Sequence, residues 1–270
     1  MIRKCFTINP HRKLEEILSF EEHLIKTNVY QGCEIFYPYN VSNEQLEDYI
    51  KGVSSYLKYE NFEIVCHLPY GALNNVATYV DLENTMDRLI AGIDFAARFN
   101  ATRLTYHPGN LDGTLSREDA IELAIKNIRI LAKHAKKYNM IFMLENLIGE
   151  HELCAKKEEM RYFLDSLKDV DVKLIFDCAH CHCAYKGEEN AIFDFLDEFK
   201  NEVYHLHVSD NHGLRDEHAP LLSGTIDYVR YFKMLKQINY EGLYSSEVLF
   251  KNHLDLIETS KTIDKIEKEI

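Results

Sequence analysis

Several features that assign a chain to a membrane, secreted or disulfide-stabilised class are missing from this sequence. No apolar run approaches the roughly 20 residues that a membrane-spanning helix needs. The seven cysteines are odd in number and lack the spacing of a disulfide framework, so we expect reduced thiols. The first residues, MIRKCFTINP, contain no apolar signal core and are predicted to form a strand. These absences predict a cytoplasmic protein that makes no membrane contact.

Positive charge is scarce, and so are the usual phosphate-binding and nucleophile motifs. The chain has 31 basic and 44 acidic residues, which give a net charge of −13. This balance argues against a nucleic-acid partner, because phosphates would be repelled. The argument loses force if the acidic groups hold divalent cations, which neutralise them in part. The sequence contains no P-loop, GxGxxG motif or Ser–His–Asp arrangement.

What the sequence does contain is a regular alternation of short apolar runs and longer amphipathic segments. Runs such as MIFML and KLIF are continuously apolar, which is typical of parallel strands buried on both faces. The predicted strands are Arg3–Ile8, Cys33–Tyr37, Glu63–Leu68, Arg103–His107, Ile141–Glu145, Val172–Asp177, Val203–Val208 and Leu243–Glu247. The predicted helices are Arg12–Thr27, Glu44–Lys58, Leu82–Phe99, Glu118–Tyr138, Lys156–Leu167, Ala191–Phe199, Ile226–Ile238 and His253–Ile266.

Eight strand–helix units without a linker predict an α/β protein with a single (β/α)₈ (TIM) barrel over residues 1–270. The length of 270 residues suits one such barrel. An open doubly wound sheet would require a glycine-rich turn after the first strand, and TINPHRKLEE contains no glycine. We therefore expect an active site at the C-terminal rim of the barrel strands.

Polar side chains stand at the ends of six consecutive predicted strands, at that rim. They are His67, His107, Glu145, Asp177, His207 and Glu247. Carboxylates that converge at one place repel each other and are costly to bury. Divalent cations compensate for this cost, and carboxylate and imidazole groups are their standard ligands. The pattern therefore predicts a metal site.

Other reactive side chains receive no such role. Cys178, Cys181 and Cys183 resemble a thiolate site only superficially, because no second cysteine pair accompanies them, and we expect them to be small buried residues. His205 is predicted to pack inside the barrel, one layer below His207. We expect His182 and His212 to be exposed loop residues.

The strand-end motifs, read together, resemble one family over essentially the whole chain. The motifs are CHLPY, YHPG, LEN, DCAH, HLHVSDN, DEHAPLLSGTID and SSEV. They resemble the xylose-isomerase-like barrel superfamily, which includes sugar isomerases and epimerases, inosose dehydratases and endonuclease IV of AP endonuclease family 2. The motifs specify this superfamily far better than they specify a reaction.

The isomerase and epimerase branch implies one divalent ion held by four ligands, which map onto Glu145, Asp177, His207 and Glu247. This resemblance predicts a Zn-, Mn-, Mg- or Co-dependent isomerase or epimerase of a sugar, sugar phosphate or related polyol. The ion would stabilise an enediolate while Glu145 and Glu247 move the proton. By the same resemblance His180 contacts the substrate. Apart from the resemblance, Tyr70 lies three residues beyond His67 and is predicted to line the site.

Endonuclease IV implies a different cluster, with up to three zinc ions and phosphodiester hydrolysis on nucleic acid. Its ligands map onto the same four residues plus His67, His107, His180, Asp216 and His218, and all nine positions carry fitting residue types. Its DNA-binding loops are not matched, because TINPHRK and EIFYPYN stand in their place. The sequence also lacks a basic, aromatic-interleaved patch that would grip a duplex. A small sugar-like substrate is therefore the first prediction, and nucleic acid belongs to the alternative alone.

The loop after the seventh predicted strand departs from the family pattern HxPxGxGxID. It reads from His218 to Asp227 as HAPLLSGTID, with Leu222 at the first glycine. Ser223 and Gly224 would still offer backbone N–H groups to a phosphate. A non-catalytic function as a sensor of sugar or metal also stays open. The family resemblance further implies a homodimer.

Overall fold

The apolar runs of the sequence form eight parallel strands, which close into a barrel in chain order from β1 to β8. The computed structural model describes residues 3–270. The strands are β1 Arg3–Ile8, β2 Gly32–Phe36, β3 Glu63–His67, β4 Arg103–Tyr106, β5 Ile141–Glu145, β6 Lys173–Asp177, β7 Val203–Val208 and β8 Leu243–Ser246. The predicted (β/α)₈ barrel is confirmed, and His107 and Glu247 lie one residue beyond β4 and β8.

The helices lie between the strands and after β8. They are α1 Leu14–Phe20, α2 Asn43–Ser54, α3 Leu82–Ala97, α4 Arg117–Lys136, α5 Lys157–Ser166, α6 Cys178–Ala184, α7 Ala191–Glu198, α8 Tyr228–Gln237 and α9 His253–Glu269. A π-helical turn, Glu21–Ile25, extends α1. The helix α6 is not among the helix ranges that the sequence predicts. It begins directly after β6, where the Asp177 side chain accepts a hydrogen bond from the His180 backbone N–H at 2.7 Å.

The barrel interior consists of layers of different chemistry. Side chains two residues apart on a strand face the same side, so His205 and His207 of β7 both point inward. An apolar layer is made by Cys5, Val65, Met143, Ile175 and Leu243. A buried polar layer is made by Glu34, Thr105, His205 and Ser245. His205 is therefore inside the barrel, as predicted, but its neighbours are polar.

Two further features concern the cysteines and the helices. All seven cysteines are buried, and none forms a disulfide within the described residues. Among residues 3–270, none of the helices combines the length and the apolar composition that a membrane span requires.

Candidate metal centre

Four acidic and histidine side chains converge at the C-terminal rim of the barrel. Glu145, Asp177, His207 and Glu247 each offer a ligand atom, and these atoms lie within 4.8 Å of one another. The Nδ1 atom of His207 is 3.0 Å from Glu145 Oε1 and 3.4 Å from Glu247 Oε2. Glu145 and Asp177 end their strands, His207 is the last residue but one of β7, and Glu247 directly follows β8, so the barrel backbone fixes their spacing.

A second group shares Glu145 with the first. The ligand atoms of His67, His107 and Glu145 also lie within 4.8 Å of one another. The other carboxylate oxygen of Glu145, Oε2, is 3.1 Å from His107 Nε2 and 3.8 Å from His67 Nε2. Glu145 therefore directs one oxygen at each group, which is the arrangement of a carboxylate that bridges two cations.

A third group is centred on Asp216, in the loop after β7. Its Oδ2 atom is 2.7 Å from His218 Nε2 and 3.5 Å from His180 Nε2. His218 has a φ of 44°, in the left-handed region that non-glycine residues rarely adopt. Such backbone strain is concentrated at functional sites.

Three histidines of the second and third groups are fixed through their Nδ1 atoms. These atoms lie at hydrogen-bond distance from backbone carbonyls: His67 from Leu68 at 2.8 Å, His180 from Asn146 at 3.0 Å and His218 from Glu247 at 2.8 Å. A carbonyl only accepts, so each Nδ1 carries a proton, and in the neutral ring each Nε2 presents a lone pair to its group. In this tautomer the ring is able to bind a metal ion through Nε2.

Whether cations fit these groups can be judged from the hydrogen bonding of the buried carboxylate oxygens. Glu145 Oε2, Asp177 Oδ2 and Asp216 Oδ1 are buried and have no hydrogen-bond partner among the described residues. One such oxygen belongs to each of the three groups. A buried, unpaired carboxylate oxygen is costly, and a bound divalent cation removes that cost. The oxygen and imidazole donors are also of the type that Zn²⁺ and Mn²⁺ bind. The residues present therefore fit divalent ions.

The pKa values of these side chains reflect their crowding. Burial, with Glu145 nearby, raises the pKa of Glu247 to about 7 against the charge of His207. Burial and the neighbouring His107 lower the pKa of His67 to about 4. Burial opposes protonation of His218, yet its contact with Asp216 raises the pKa to about 9.

The raised pKa of His218 predicts how the metal-free protein responds to pH. A histidine whose pKa rises from 6.5 to about 9 on folding stabilises the fold below pH 6.5, and this contribution is lost as the pH rises through 9. We expect the melting temperature of chelator-treated protein to fall between pH 6.5 and 9, and to fall less in His218→Asn. Thermal unfolding at four pH values measures this. If the melting temperatures of the two proteins fall equally with rising pH, the prediction is contradicted.

The groups form the floor of a cavity of about 480 Å³ at the barrel mouth. His67, His107, His180, Asp216, His218 and Glu247 line it, whereas Glu145, Asp177 and His207 are buried beneath them. Its walls include Arg12, Tyr70, Asn74, Asn110 and Phe250. Tyr70 is 50% exposed and meets the ring of His67 edge-on at 5.2 Å. Tyr70 therefore forms part of the cavity wall next to His67.

Other predicted residues lie elsewhere. Ser223 and Gly224 are outside the described lining of the cavity. The Ser223 backbone N–H donates to the Pro220 carbonyl at 3.1 Å, and Gly224 packs so closely on Asn211 that a Cβ would lie 2.3 Å from its carbonyl oxygen. We propose no phosphate-binding role for this loop.

The prediction that His182 is exposed is wrong. This side chain lies in α6 with 5% exposure, and its Nδ1 is 2.7 Å from Asn211 Oδ1. The Cys178 and Cys181 side chains beside it are fully buried, and Cys183 is 7% exposed, as expected. His212 is exposed, as predicted.

Two residues with a structural role at the site were missed. The Asn146 side chain donates to the Asp177 carbonyl at 2.9 Å and accepts from its N–H at 2.8 Å, which joins the ends of β5 and β6. Glu34 is fully buried, and its Oε2 is 3.0 Å from His207 Nε2. The sequence signal for Glu34 was a charged residue inside an otherwise apolar strand, CEIF.

Comparisons with known proteins find probable enzymes and uncharacterised proteins at similar levels of sequence identity. The uncharacterised protein MJ1311 of Methanocaldococcus jannaschii is 25% identical over 210 residues, which cover 74% of this chain and 69% of that protein. A probable endonuclease 4 of Metamycoplasma arthritidis is 26% identical over 198 residues, covering 69% of each.

Solved structures share the fold at lower identity, and the family itself is matched over most of the chain. A D-tagatose 3-epimerase-like protein superposes with a TM-score of 0.77 at 20% identity, covering 99% of this chain and 97% of the other. A structure of IOLI protein with a zinc atom gives a TM-score of 0.74 at 15% identity, with the same coverage. The model of the xylose isomerase-like TIM barrel family matches residues 24–266. The chain therefore belongs to the xylose isomerase-like TIM barrel family.

Proposed function

We propose that this chain is a metal-dependent phosphoesterase that works with a cluster of up to three divalent ions at the barrel rim. The observation that carries this proposal is the position of Glu145 between two ligand groups, with Oε1 facing His207 and Oε2 facing His107. Sites with two ions bridged in this way are typical of phosphoester hydrolysis. The names of the endonuclease 4 relatives and the zinc atom of the IOLI structure also support it.

The side chains of the site have separate tasks in this reaction. When bound, the ions would supply Lewis-acid chemistry that stabilises the charge of a phosphoryl group under attack. The first two groups, which share Glu145, would hold two of them. Asp216, His180 and His218 line the cavity and would hold a third beside the substrate. Tyr70 and Asn110 on the walls would orient the ester.

The cavity favours a small phosphate ester over a DNA duplex. Its volume of about 480 Å³ suits a single small molecule. Arg12 is the one arginine or lysine among the described lining residues, and it already donates to the Phe250 and Lys251 carbonyls at 2.7 Å each. The net charge of −13 also disfavours a polyanion.

The metal content tests the cluster directly. We expect about three zinc ions per chain in protein reconstituted with zinc and desalted, because three ligand groups are present. Asp216→Asn should remove about one ion, since it neutralises the carboxylate that links His180 to His218. Elemental analysis measures both values. A content of one ion in both proteins would contradict the cluster.

Hydrolysis is tested with bis(p-nitrophenyl) phosphate, a set of small natural phosphate esters and a duplex carrying an abasic site. Zinc-dependent turnover of a small ester supports the proposal, and cleavage of the duplex with no small-ester turnover would overturn the assigned substrate class.

A second candidate is a divalent-metal-dependent isomerase or epimerase of a sugar, sugar phosphate or related polyol. The observation that favours it is Glu247, a ligand of the four-residue group that also faces the sugar-sized cavity. Its carboxylate is placed to move a proton of a bound polyol. In this candidate Asp216 and His218 hold no ion and His180 contacts the substrate, so Asp216→Asn should leave turnover largely intact. Exchange of substrate C–H for deuterium from solvent distinguishes it from hydrolysis.

A further inference from the structure

A buried carboxylate lies beneath the metal centre and takes no part in the three ligand groups described above. Glu34 of β2 is fully buried in the barrel interior. Its Oε1 accepts a hydrogen bond from the Thr105 hydroxyl, and its Oε2 accepts one from the Ser245 hydroxyl. The same Oε2 lies 3.0 Å from His207 Nε2. The carboxylate thus contacts a proposed metal ligand from the side opposite the ions.

His207 is oriented differently from the other ligand histidines. His67, His180 and His218 have Nδ1 on a backbone carbonyl and present Nε2. His207 instead directs Nε2 at Glu34 and Nδ1 at Glu145 and Glu247. Its ring is therefore held by a charged carboxylate rather than by a carbonyl dipole.

Glu34 and His205 do not form a separate metal site with His207, although their ligand atoms lie within 4.8 Å of one another. Both oxygens of Glu34 already accept hydrogen bonds from hydroxyl groups. The Nε2 atom of His205 is 2.8 Å from the Ser245 hydroxyl oxygen. The polar atoms that would face an ion are thus occupied, in contrast to the unpartnered carboxylate oxygens above.

We propose that Glu34 is a positioning residue for the metal centre and acts through His207. It accepts the Nε2 proton of His207, which leaves the Nδ1 lone pair directed at the four-residue group. A carbonyl would fix this tautomer equally well, but a carboxylate also makes the imidazole a stronger ligand. The proposal rests on the metal centre of the proposed function and holds for hydrolysis and isomerisation alike.

The test uses Co²⁺ binding to the full-length chain, because its visible spectrum reports the ligand set and needs no substrate. Glu34→Gln keeps the size of the side chain and an oxygen acceptor but removes the charge. We expect its affinity for the first Co²⁺ to fall roughly 10- to 100-fold. Thr105→Val is the matched control, since it removes one hydrogen bond to Glu34 and leaves the charge, and should bind Co²⁺ like the wild type.

A double-variant cycle with His207→Ala separates positioning from a general effect on folding. Glu145, Asp177 and Glu247 remain as ligands in that background, so weaker binding stays measurable. Glu34→Gln should cause no further loss of affinity when His207 is absent. The same loss in both backgrounds, or wild-type affinity in a folded Glu34→Gln protein, would overturn the proposal. Wild-type protein that binds no Co²⁺ would refute the metal centre as well, whereas binding without hydrolysis would refute the phosphoesterase alone.

Discussion

Glu145→Gln should lower kcat/KM for phosphoester hydrolysis by a factor on the order of 1,000, the largest loss that we expect from one substitution. The carboxylate lies between two ligand groups, with His207 at 3.0 Å on one side and His107 at 3.1 Å on the other. An amide has one weak oxygen ligand in place of two charged ones, so both groups lose a donor. Loss of several kcal/mol of electrostatic stabilisation corresponds to this factor. Initial rates at saturating zinc measure it.

Two comparisons make the result specific. Glu217→Gln is the matched control, because Glu217 lies beside Asp216 in sequence but contacts His212 and lies outside the cavity lining. It should retain near wild-type activity. Glu145→Gln should also bind fewer ions than the wild type. If Glu145→Gln keeps full activity with a full complement of zinc, the bridging role is incorrect.

The same variant bears on the second candidate function. An isomerase with Glu145 as its base requires this side chain to reach a carbon-bound proton of the substrate, yet the side chain is fully buried, and His67 and His107 line the cavity above it. Glu247 by contrast faces the cavity. An isomerase at this site would therefore depend on Glu247 for the proton and on Glu145 for the ion. Asp216→Asn separates the two candidates more cleanly than any change at Glu145.

The strands were predictable because their chemistry is local. A run such as MIFML is apolar on both faces, and only a parallel strand covered on both sides accommodates it. Strand ends then carry the candidate ligands to one rim, so the convergence of Glu145, Asp177 and His207 followed from the barrel alone. The boundaries differed by a residue or so at several strands, because hydrogen bonding along the ladder and not hydropathy decides where a strand ends.

The features that the sequence did not predict depend on contacts between distant parts of the chain. CAHCHCA has no clear helical pattern, and the start of α6 is set by Asp177, which caps it through Oδ1 while offering Oδ2 to the metal centre. His182 appeared to be a loop residue because nothing nearby in sequence shows its contact with Asn211. Glu34 is separated from His207 by 173 residues, so only the closed barrel reveals their contact. The contact of Glu145 with two groups likewise depends on the orientation of its side chain, which cannot be predicted from the spacing of the motifs.

Removing the metal should lower the melting temperature by on the order of 10 °C. One ion present at 1,000 times its dissociation constant stabilises the fold by about 4 kcal/mol, and each kcal/mol shifts a chain of this size by about 2–4 °C. The physical source is the set of buried carboxylate oxygens left unpartnered, Glu145 Oε2, Asp177 Oδ2 and Asp216 Oδ1. Differential scanning calorimetry with zinc and with chelator measures the difference.

Asp177→Asn should change the melting temperature in opposite directions with and without metal. Burial, together with the charge of Glu145, raises the pKa of Asp177, so the ionised carboxylate destabilises the fold when no cation is bound. Asparagine keeps the oxygen that caps α6 and removes the charge. The variant should therefore melt above wild type in chelator and below it in zinc. Asp197→Asn, at an exposed ion pair with Lys200, is the control and should change neither value. A parallel shift of Asp177→Asn under both conditions would mean that the carboxylate has a purely structural role.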